Sequence, residues 1–316
     1  PLVNLNIASL SSPLLPLKIL NFSFMLRRAA IDIIQTHFID SNYVGFLAAK
    51  LAATKTLIST RRGMPYWRNA LELRILRALD RATDVFVANS HWSAASYSEI
   101  EAINPTLIKV IHNGINVEDF PIDEATRAAS RARIGVPSCV PIVGMVANLR
   151  PVKGIDVFLR AAAHIKNKFG DVQFVVVGEG QSRNDLMSQA EGLGLNSTLK
   201  FLGQQMDIPR LLAAFDVAVL SSYSESLSNS LIEYGAAGLP VVCTDAGGSR
   251  EVVVDGVNGY VVPVGDAQAL ADRIAKLLSM PDRKQMGLLN RKMIKNAFSL
   301  ESSVRQYGEL YTACCL

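Results

Sequence analysis

Short runs of apolar, largely β-branched residues recur along the chain, and helix-length segments separate them. The runs predict strands at Asp32–Gln35, Val85–Ala88, Lys109–Ile111, Ile142–Ala147, Gln173–Val177, Leu199–Leu202, Val217–Leu220, Val241–Cys243 and Tyr260–Val262. Between them the pattern predicts helices at Ile155–Asn167, Asn184–Leu193, Ser228–Ala237 and Ala267–Leu278. Strands that are apolar on both faces and alternate with helices are typical of parallel α/β sheets.

The alternation is interrupted at residues 133–141, where glycine, serine and two prolines cluster. We therefore predict a first domain over 1–135, a second over 136–298, and a C-terminal helix in 299–316 that crosses back toward the first domain. After the interruption the pattern supports a complete doubly wound unit. Before it only about three strands are legible, so the first Rossmann-like domain is expected to be incomplete.

Composition narrows the class of protein. The chain has 316 residues, of which 49% are hydrophobic, yet its apolar runs are strand-sized and far shorter than the roughly 20 residues that span a bilayer. The formal charge of +4 is too small to indicate nucleic acid as a partner. Four cysteines without a CxxC spacing favour reduced thiols and a cytoplasmic location.

The largest group of candidate ligand-binding residues lies in 221–251, SSYSESLSNSLIEYGAAGLPVVCTDAGGSRE. They follow a predicted strand at its carboxyl end, where open parallel sheets bind ligands. Glu225 leads into a turn of small residues and then a predicted helix that contains Glu233. Free N–H groups at a helix start bind anions, and carboxylates accept hydrogen bonds from hydroxyls. Phosphates and hydroxyls together are the chemistry of a nucleotide sugar.

A second interpretation of the same residues is structural. Ser230 and Glu233 have the S-x-x-E spacing of a capping box, in which the glutamate would only cap its own helix. The glycines of the segment are likewise ordinary turn residues in this interpretation.

The segment resembles the signature of retaining glycosyltransferase family 4, which has the α/β GT-B fold of two Rossmann-like domains facing across a cleft. In that family two glutamates with seven residues between them precede G-x-P-V-V and a G-G-x-x-E turn. Here these elements are Glu225 and Glu233, residues 238–242, and residues 247–251. The family normally opens with a strand, a glycine-rich loop and a helix that do not occur in this sequence, so the resemblance also implies truncation at the N-terminus.

The resemblance extends to the loop ANLRPVKG at residues 147–154. Lys153 matches a lysine that, in the family, clamps the donor diphosphate together with an arginine. That arginine falls at Asn148 here, and Arg150 lies two residues later, so we expect its guanidinium to take over the role.

Three further matches are shorter. Gly178 resembles the glycine turn beside the donor, and Gly203 with Gln204 resembles the edge that meets the base. His37 resembles a histidine at a strand end that faces the transferred sugar, although without the resemblance a packed histidine is the better interpretation.

Two positions depart from the family pattern. Ser226 replaces the glycine that usually follows the first glutamate. Gly235 lies inside a predicted helix, where glycine costs roughly 1 kcal/mol relative to alanine, and the sequence offers no reason for it.

The resemblance implies transfer of a hexose from a nucleotide sugar, with a UDP-sugar expected, to a glycan or lipid-linked acceptor hydroxyl with retention of configuration. Negative charge on the departing diphosphate would be stabilised by Lys153, Arg150 and the N–H groups of Leu227, Ser228 and Asn229. Glu233 would hold the ribose and Glu225 a hydroxyl of the transferred sugar. No cofactor is expected, and no D-x-D metal motif stands out.

Three alternatives remain open. One is a non-catalytic nucleotide-sugar-binding protein with this fold, and another is a nucleotide-sugar epimerase. A dinucleotide-dependent oxidoreductase is the third, but the G-x-G at Gly178 lacks the third glycine of G-x-G-x-x-G, where Arg183 stands instead.

Arginines are frequent after Thr60, at positions 61, 62, 68, 74, 77 and 81. One interpretation is peripheral contact with the inner face of a membrane that carries the acceptor. A solvated helix face explains the pattern equally well.

Overall fold

The computed structural model describes residues 4–7, 9, 12–37, 39–63 and 70–315. The chain divides into two compact units, residues 1–112 with 303–316, and residues 113–302. The division therefore lies before the predicted boundary at 135/136.

The described part of the first unit contains a parallel sheet of four strands in the order β1-β2-β3-β4. Its strands are β1 (Ile33–His37), β2 (Thr56–Arg61), β3 (Val85–Ala88) and β4 (Ile108–Val110). Its helices are α1 (Leu15–Arg28), α2 (Ile39–Ala52), α3 (Ala70–Asp80) and α4 (His91–Glu101).

The prediction of about three strands in the first domain missed strand β2. Its sequence, TLISTR, is mostly polar, yet every residue of it is buried. The Arg61 guanidinium is neutralised by Asp80 and by Glu101, whose Oε2 lies 3.3 Å from Arg61 Nε. Because these contacts come from distant parts of the chain, the local pattern conceals the strand.

The second unit is a six-stranded parallel sheet in the order β10-β9-β8-β5-β6-β7. The strands are β5 (Ile142–Val146), β6 (Gln173–Val177), β7 (Leu199–Phe201), β8 (Val217–Leu220), β9 (Val241–Thr244) and β10 (Gly259–Val262). The helices are α5 (Glu124–Ile134), α6 (Ile155–Phe169), α7 (Arg183–Gly192), α8 (Ile208–Leu212), α9 (Asn229–Ala236), α10 (Ser249–Val252), α11 (Ala267–Ser279) and α12 (Arg283–Ala297). The strand order reverses between β5 and β8, and doubly wound sheets bind ligands at this switch point.

Residues 113–135 belong to the second unit because they pack on its sheet. Val117, Phe120 and Ile134 are buried in the same apolar cluster as the residues of β8 and α9. Arg127 adds an ion pair of 2.8 Å to Asp216, the residue before β8. The glycine- and proline-rich stretch at 133–141 is therefore a turn inside this unit.

Helix packing explains Gly235. A Cβ at this position would lie 2.4 Å from Ile294 Cγ1 and 2.8 Å from Asn290 Oδ1, so α12 approaches α9 too closely for any side chain. Asn290 is fully buried, and its amide donates to Leu239 O at 2.9 Å. The helix-weakening glycine thus allows two helices to pack.

A last helix, α13 (Leu300–Cys315), begins in the second unit, and its residues from Ser303 onward group with the first. Tyr307 and Leu310 pack beside the buried Ile58 and Val87. Within the described ranges, no helix has the length and apolarity that crossing a bilayer requires.

Candidate nucleotide-sugar site

The loops after β5 and β8 touch at the switch point of the second sheet. Gly154 has φ +59°, and a Cβ there would lie 2.0 Å from Ser221 O, so glycine is needed for the approach. Ser221 Oγ donates to Gly154 O at 2.7 Å, and Tyr223 N donates to Val152 O at 2.8 Å. These bonds fix one loop against the other.

Lys153 and Glu225, predicted to contact different parts of a donor, form an ion pair across the two loops. The Nζ and Oε1 atoms are 2.6 Å apart, and Ser222 Oγ also donates to Glu225 Oε1 at 2.6 Å. The side chains of Lys153 and Glu225 are 25% and 9% exposed. An ammonium has three donors, so the pair leaves Lys153 with further capacity to hold an anion.

Asn148 and Arg150 are both exposed, while Leu149 between them is fully buried. The loop thus directs the two polar side chains away from the core that anchors Leu149. The substitution of Arg150 for the family arginine remains a prediction.

The start of α9 shows that the capping-box interpretation of Ser230 and Glu233 is wrong. The N-cap residue is Ser228, and its side chain makes no capping hydrogen bond. Ser230 lies inside the helix, and its hydroxyl donates to Val146 O at 3.0 Å. Leu227 and Ser228 are buried, and Asn229 Oδ1 accepts from Asn113 Nδ2 at 2.7 Å. The first turn therefore retains the backbone donors that an anion would use.

Glu233 follows one turn later in α9. It is partly buried, and among the described residues its carboxyl group has no hydrogen bond and no ion pair. Burial raises the pKa of Glu233 from 4.5 to about 7. A partly buried carboxyl group that makes no bond within the described chain can accept hydrogen bonds from ligand hydroxyls.

Tyr234 is a site residue that the sequence did not reveal. Its fully buried hydroxyl accepts from Val146 N at 2.7 Å and donates to Val146 O at 3.3 Å. With Ser230 it fastens α9 to the end of β5, from which the Lys153 loop departs. The signal in the sequence is the i, i+4 spacing of two hydroxyl side chains on one helix face.

Two glycines bring the loops after β6 and β7 to the same edge of the sheet. A Cβ at Gly178, which has φ +133°, would lie 2.0 Å from Ala147 O. Gly178 N donates to Gly203 O at 2.8 Å, and Gln204 beside it is exposed. These three predicted donor-binding residues therefore lie close to the β5 loop.

The G-G-x-x-E turn rests directly on the first glutamate. A Cβ at Gly247, which has φ +58°, would lie 1.7 Å from Glu225 O, and Gly248 N donates to Ser226 O at 3.0 Å. Only glycine permits this contact, which supports the turn around Glu225.

His37 belongs to the first unit and is the last residue of β1, just beyond the predicted end of that strand at Gln35. Its side chain is exposed, and partial burial and the charge of Arg62 lower its pKa.

The arginine-rich segment is only partly a free surface. Arg61 is buried and paired, and Arg77 donates to Ile100 O at 3.0 Å. Arg68 lies outside the described residues.

Known proteins are similar to this chain in sequence and in fold. Residues 126–299 match the family described as Glycosyl transferases group 1, and residues 4–119 match Glycosyltransferase Family 4. The chain therefore belongs to this glycosyltransferase family, and the prediction of a GT-B fold with two parallel-sheet α/β domains is confirmed.

Relatives with assigned names are similar over most of the chain. It is 32% identical over 267 residues to a D-inositol 3-phosphate glycosyltransferase of Mycobacterium sp. (strain KMS), and the match covers 78% of this chain. The same match spans only 59% of the length of that relative. The chain is 25% identical over 301 residues to the UDP-Gal:alpha-D-GlcNAc-diphosphoundecaprenol alpha-1,3-galactosyltransferase of Escherichia coli, covering 91% of this chain and 76% of that protein.

Among solved structures, Anabaena Alr3699/HepE in complex with UDP-glucose is similar, with a TM-score of 0.88 and 25% identity. The similarity covers 96% of this chain and 84% of that one.

Proposed function

We propose that this chain transfers a sugar from a UDP-sugar to an acceptor hydroxyl with retention of anomeric configuration. The observation that carries the proposal is the 2.6 Å pair of Lys153 and Glu225 at the switch point, beside the uncapped start of α9. The Anabaena relative, whose structure was obtained with UDP-glucose, supports the choice of nucleotide.

Departure of the nucleoside diphosphate is the demanding step, because negative charge builds on the bridging oxygen. Lys153, already held by Glu225, and the backbone donors of residues 227–229 would stabilise that charge without reorganisation. Arg150 would add a second cation from the same loop. These groups take the place that a metal ion has in other transferases, so we propose a reaction without metal or cofactor.

The remaining donor contacts follow from the same arrangement. Glu233 would accept hydrogen bonds from the ribose hydroxyls, while the second oxygen of Glu225 would accept one from the transferred sugar. Gly178, Gly203 and Gln204 would flank the base. From the family resemblance we also assign His37 to the transferred sugar.

For the acceptor we propose a saccharide or a lipid-linked saccharide at the cytoplasmic face of a membrane, in polysaccharide biosynthesis of the cell envelope. The name of the Escherichia coli relative supports this class, because it specifies a diphosphoundecaprenol-linked acceptor.

The test is calorimetric titration of the chain with UDP-, GDP- and ADP-glucose, and with UDP-galactose. We expect binding that requires uridine and that weakens in Glu233→Gln. Nuclear magnetic resonance of the product formed with saccharide acceptors would then report the anomeric configuration.

Absence of binding to every donor would overturn the proposal. Binding without release or transfer of the sugar would favour a non-catalytic nucleotide-sugar-binding protein, and an inverted product would refute retention.

A further inference from the structure

A cavity lies in the second unit, at the edge of its sheet opposite to the candidate nucleotide-sugar site. It has a volume of about 330 Å³, and its lining includes Asp216 and Pro240, which directly precede β8 and β9. Glu225 of the candidate site, by contrast, comes after the carboxyl end of β8. The four residues of β8 hold the two ends about 13 Å apart. The cavity is therefore separate from the donor chemistry.

Apolar side chains form much of the cavity wall. Phe215 and Leu239 line it and are buried, with 1% and 5% of their surface exposed. Ile122 and Leu288 line it too, but they are 54% and 53% exposed. A Cβ at Gly238 would lie 3.6 Å from Ile122 Cγ2, so the isoleucine borders the turn between α9 and β9. Such a lining is typical of a pocket that holds the apolar body of a small molecule.

Three arginines share one carboxylate beside this apolar lining. Arg127 and Arg283 line the cavity, and their Nη2 atoms lie 2.8 Å and 3.7 Å from Asp216 Oδ1. A third, Arg131, lies 3.2 Å from Oδ2 of the same carboxylate. The side chain of Asp216 is 8% exposed. Three guanidinium groups around one carboxylate leave a formal charge of +2 where little water enters, so a bound anion would be stabilised there.

Two cationic side chains at the start of α12 retain donors for such an anion. The 3.7 Å from Arg283 Nη2 to Asp216 Oδ1 is too long for a hydrogen bond, whereas Arg283 Nη1 donates to Leu278 O at 3.2 Å. Lys284, which also lines the cavity, is exposed and has no ion pair or hydrogen bond among the described residues. An adjacent guanidinium and ammonium can together hold one carboxylate or phosphate.

The acidic groups at the rim belong to another wall of the cavity. Asp123 and Glu124 come from the start of α5, and both are exposed. The Asp123 carboxylate is occupied, because it accepts hydrogen bonds from Thr126 N and Thr126 Oγ1 at 2.8 Å each. The charge of Glu124 is screened by solvent. These acids would therefore direct the anionic end of a ligand toward α12.

We propose that this cavity binds a small organic anion. Its apolar body would lie between Phe215 and Leu288, and its carboxylate or phosphate would meet Arg283 and Lys284. A volume of about 330 Å³ is at the lower end for ligand pockets, which suits a single ring better than a nucleotide. The inference goes beyond the donor chemistry and does not depend on sugar transfer.

The test is a nuclear magnetic resonance titration of the full chain with 3-phenylpropionate and with phenyl phosphate. The two probes share an apolar ring and differ in the anionic group. We expect both to bind and to shift the amide signals of Leu239 and of residues 283–288, and the tighter probe identifies the preferred anion. The uncharged 3-phenylpropan-1-ol should bind about tenfold more weakly, because it lacks the charged hydrogen bonds.

Charge variants test the contact with α12. Arg283→Gln with Lys284→Gln should weaken binding of 3-phenylpropionate by about tenfold or more. The matched control is Lys292→Gln with Lys295→Gln, which removes the same charge from exposed positions of α12 outside the cavity and should bind like the unaltered chain. Because Arg283 also approaches Asp216, Lys284→Gln alone serves if the double variant misfolds, with an expected loss of about fivefold.

Four results would overturn the proposal. One is failure of both anions to bind, and another is binding of the alcohol as tight as that of 3-phenylpropionate. The third is an equal loss in the Lys292/Lys295 control, which would reduce the effect to overall charge. The fourth is loss of probe binding in Lys153→Ala, which would put the anion in the candidate nucleotide-sugar site instead.

Discussion

Two glutamates, one in each unit, differ in burial and in what surrounds them. Glu101 in the first unit is closed off, with its carboxylate 3.3 Å from Arg61, whose guanidinium lies over the Phe86 ring at 5.4 Å. Glu233 in the second unit is partly buried and has no partner among the described residues. The Glu101 carboxylate is therefore compensated by a charge of the fold itself, whereas the Glu233 carboxyl group, whose pKa burial raises to about 7, stays available to a ligand. Accessibility to a ligand, more than burial, distinguishes the glutamate of the candidate site.

The largest effect on stability is expected when Glu101 is removed from its ion pair with Arg61. Glu101→Ala leaves the Arg61 guanidinium with less compensation inside the first unit, and one-sided removal of a buried pair costs about 3–5 kcal/mol. Urea denaturation should show this loss in the free energy of unfolding. A loss below about 1 kcal/mol would mean that Asp80 alone neutralises Arg61, and the contrast between the glutamates would weaken.

Replacing Lys153 should lower the turnover number, kcat. Lys153→Ala should lower kcat by about 100-fold, on the scale of losing one preorganised donor. It should also lower the thermal midpoint, because the nearly buried Glu225 loses its counter-ion. Steady-state kinetics with a UDP-sugar measure the first quantity, and calorimetry the second. The matched control is Lys168→Ala, which removes an exposed lysine from the last turn of α6. A wild-type kcat for Lys153→Ala would remove that lysine from the mechanism.

Glu233→Gln should stabilise the chain without ligand above neutral pH. The pKa is raised from its ordinary value of 4.5 to about 7 in the folded state. The folded state therefore loses stability as pH rises through this window, and glutamine, which does not ionise, avoids the loss. We expect a gain of about 1–3 kcal/mol at pH 8 and none at pH 4, measured by urea denaturation. Equal stability at both pH values would contradict a buried, unpartnered carboxyl group.

Donor binding should depend on the same proton. Ribose hydroxyls favour the ionised form of Glu233, so affinity for a UDP-sugar should rise by up to about tenfold from pH 6 to pH 8 and level off above the pKa. Calorimetry at several pH values measures this affinity, and the affinity of the Glu233→Gln variant should not change with pH. A pH-independent affinity in the unaltered chain would return Glu233 to a structural role.

The smallest effect is expected at Tyr234. Tyr234→Phe keeps the ring but removes the hydroxyl from Val146, at a cost of about 1–2 kcal/mol in unfolding. If the hydroxyl also positions the Lys153 loop, kcat should fall several-fold while the KM for the donor changes little. An unaltered kcat beside the same loss of stability would limit Tyr234 to support of the sheet.

The sequence alone determined the strands of the second unit and the charged and glycine residues of its candidate site, but not the start of the unit at residue 113 or the part of Tyr234. The strands of this unit are short apolar runs, so their burial follows from composition, and Glu225, Glu233 and the glycines come at spacings typical of a ligand-binding edge. Polar β2 shows the limit of this reasoning. Its burial depends on Asp80 and Glu101, which are distant in sequence, and no local pattern reports such partners.

Tertiary structure decided the remaining questions. It removed Ser230 from the capping role by bonding it to Val146, and it explained Gly235 by the approach of Ile294 on α12. It also paired Lys153 with Glu225 and left Glu233 without a partner in the described chain. Spacing along the chain specifies which residues can reach a common edge of a sheet. Which atoms then meet depends on packing between elements far apart in sequence.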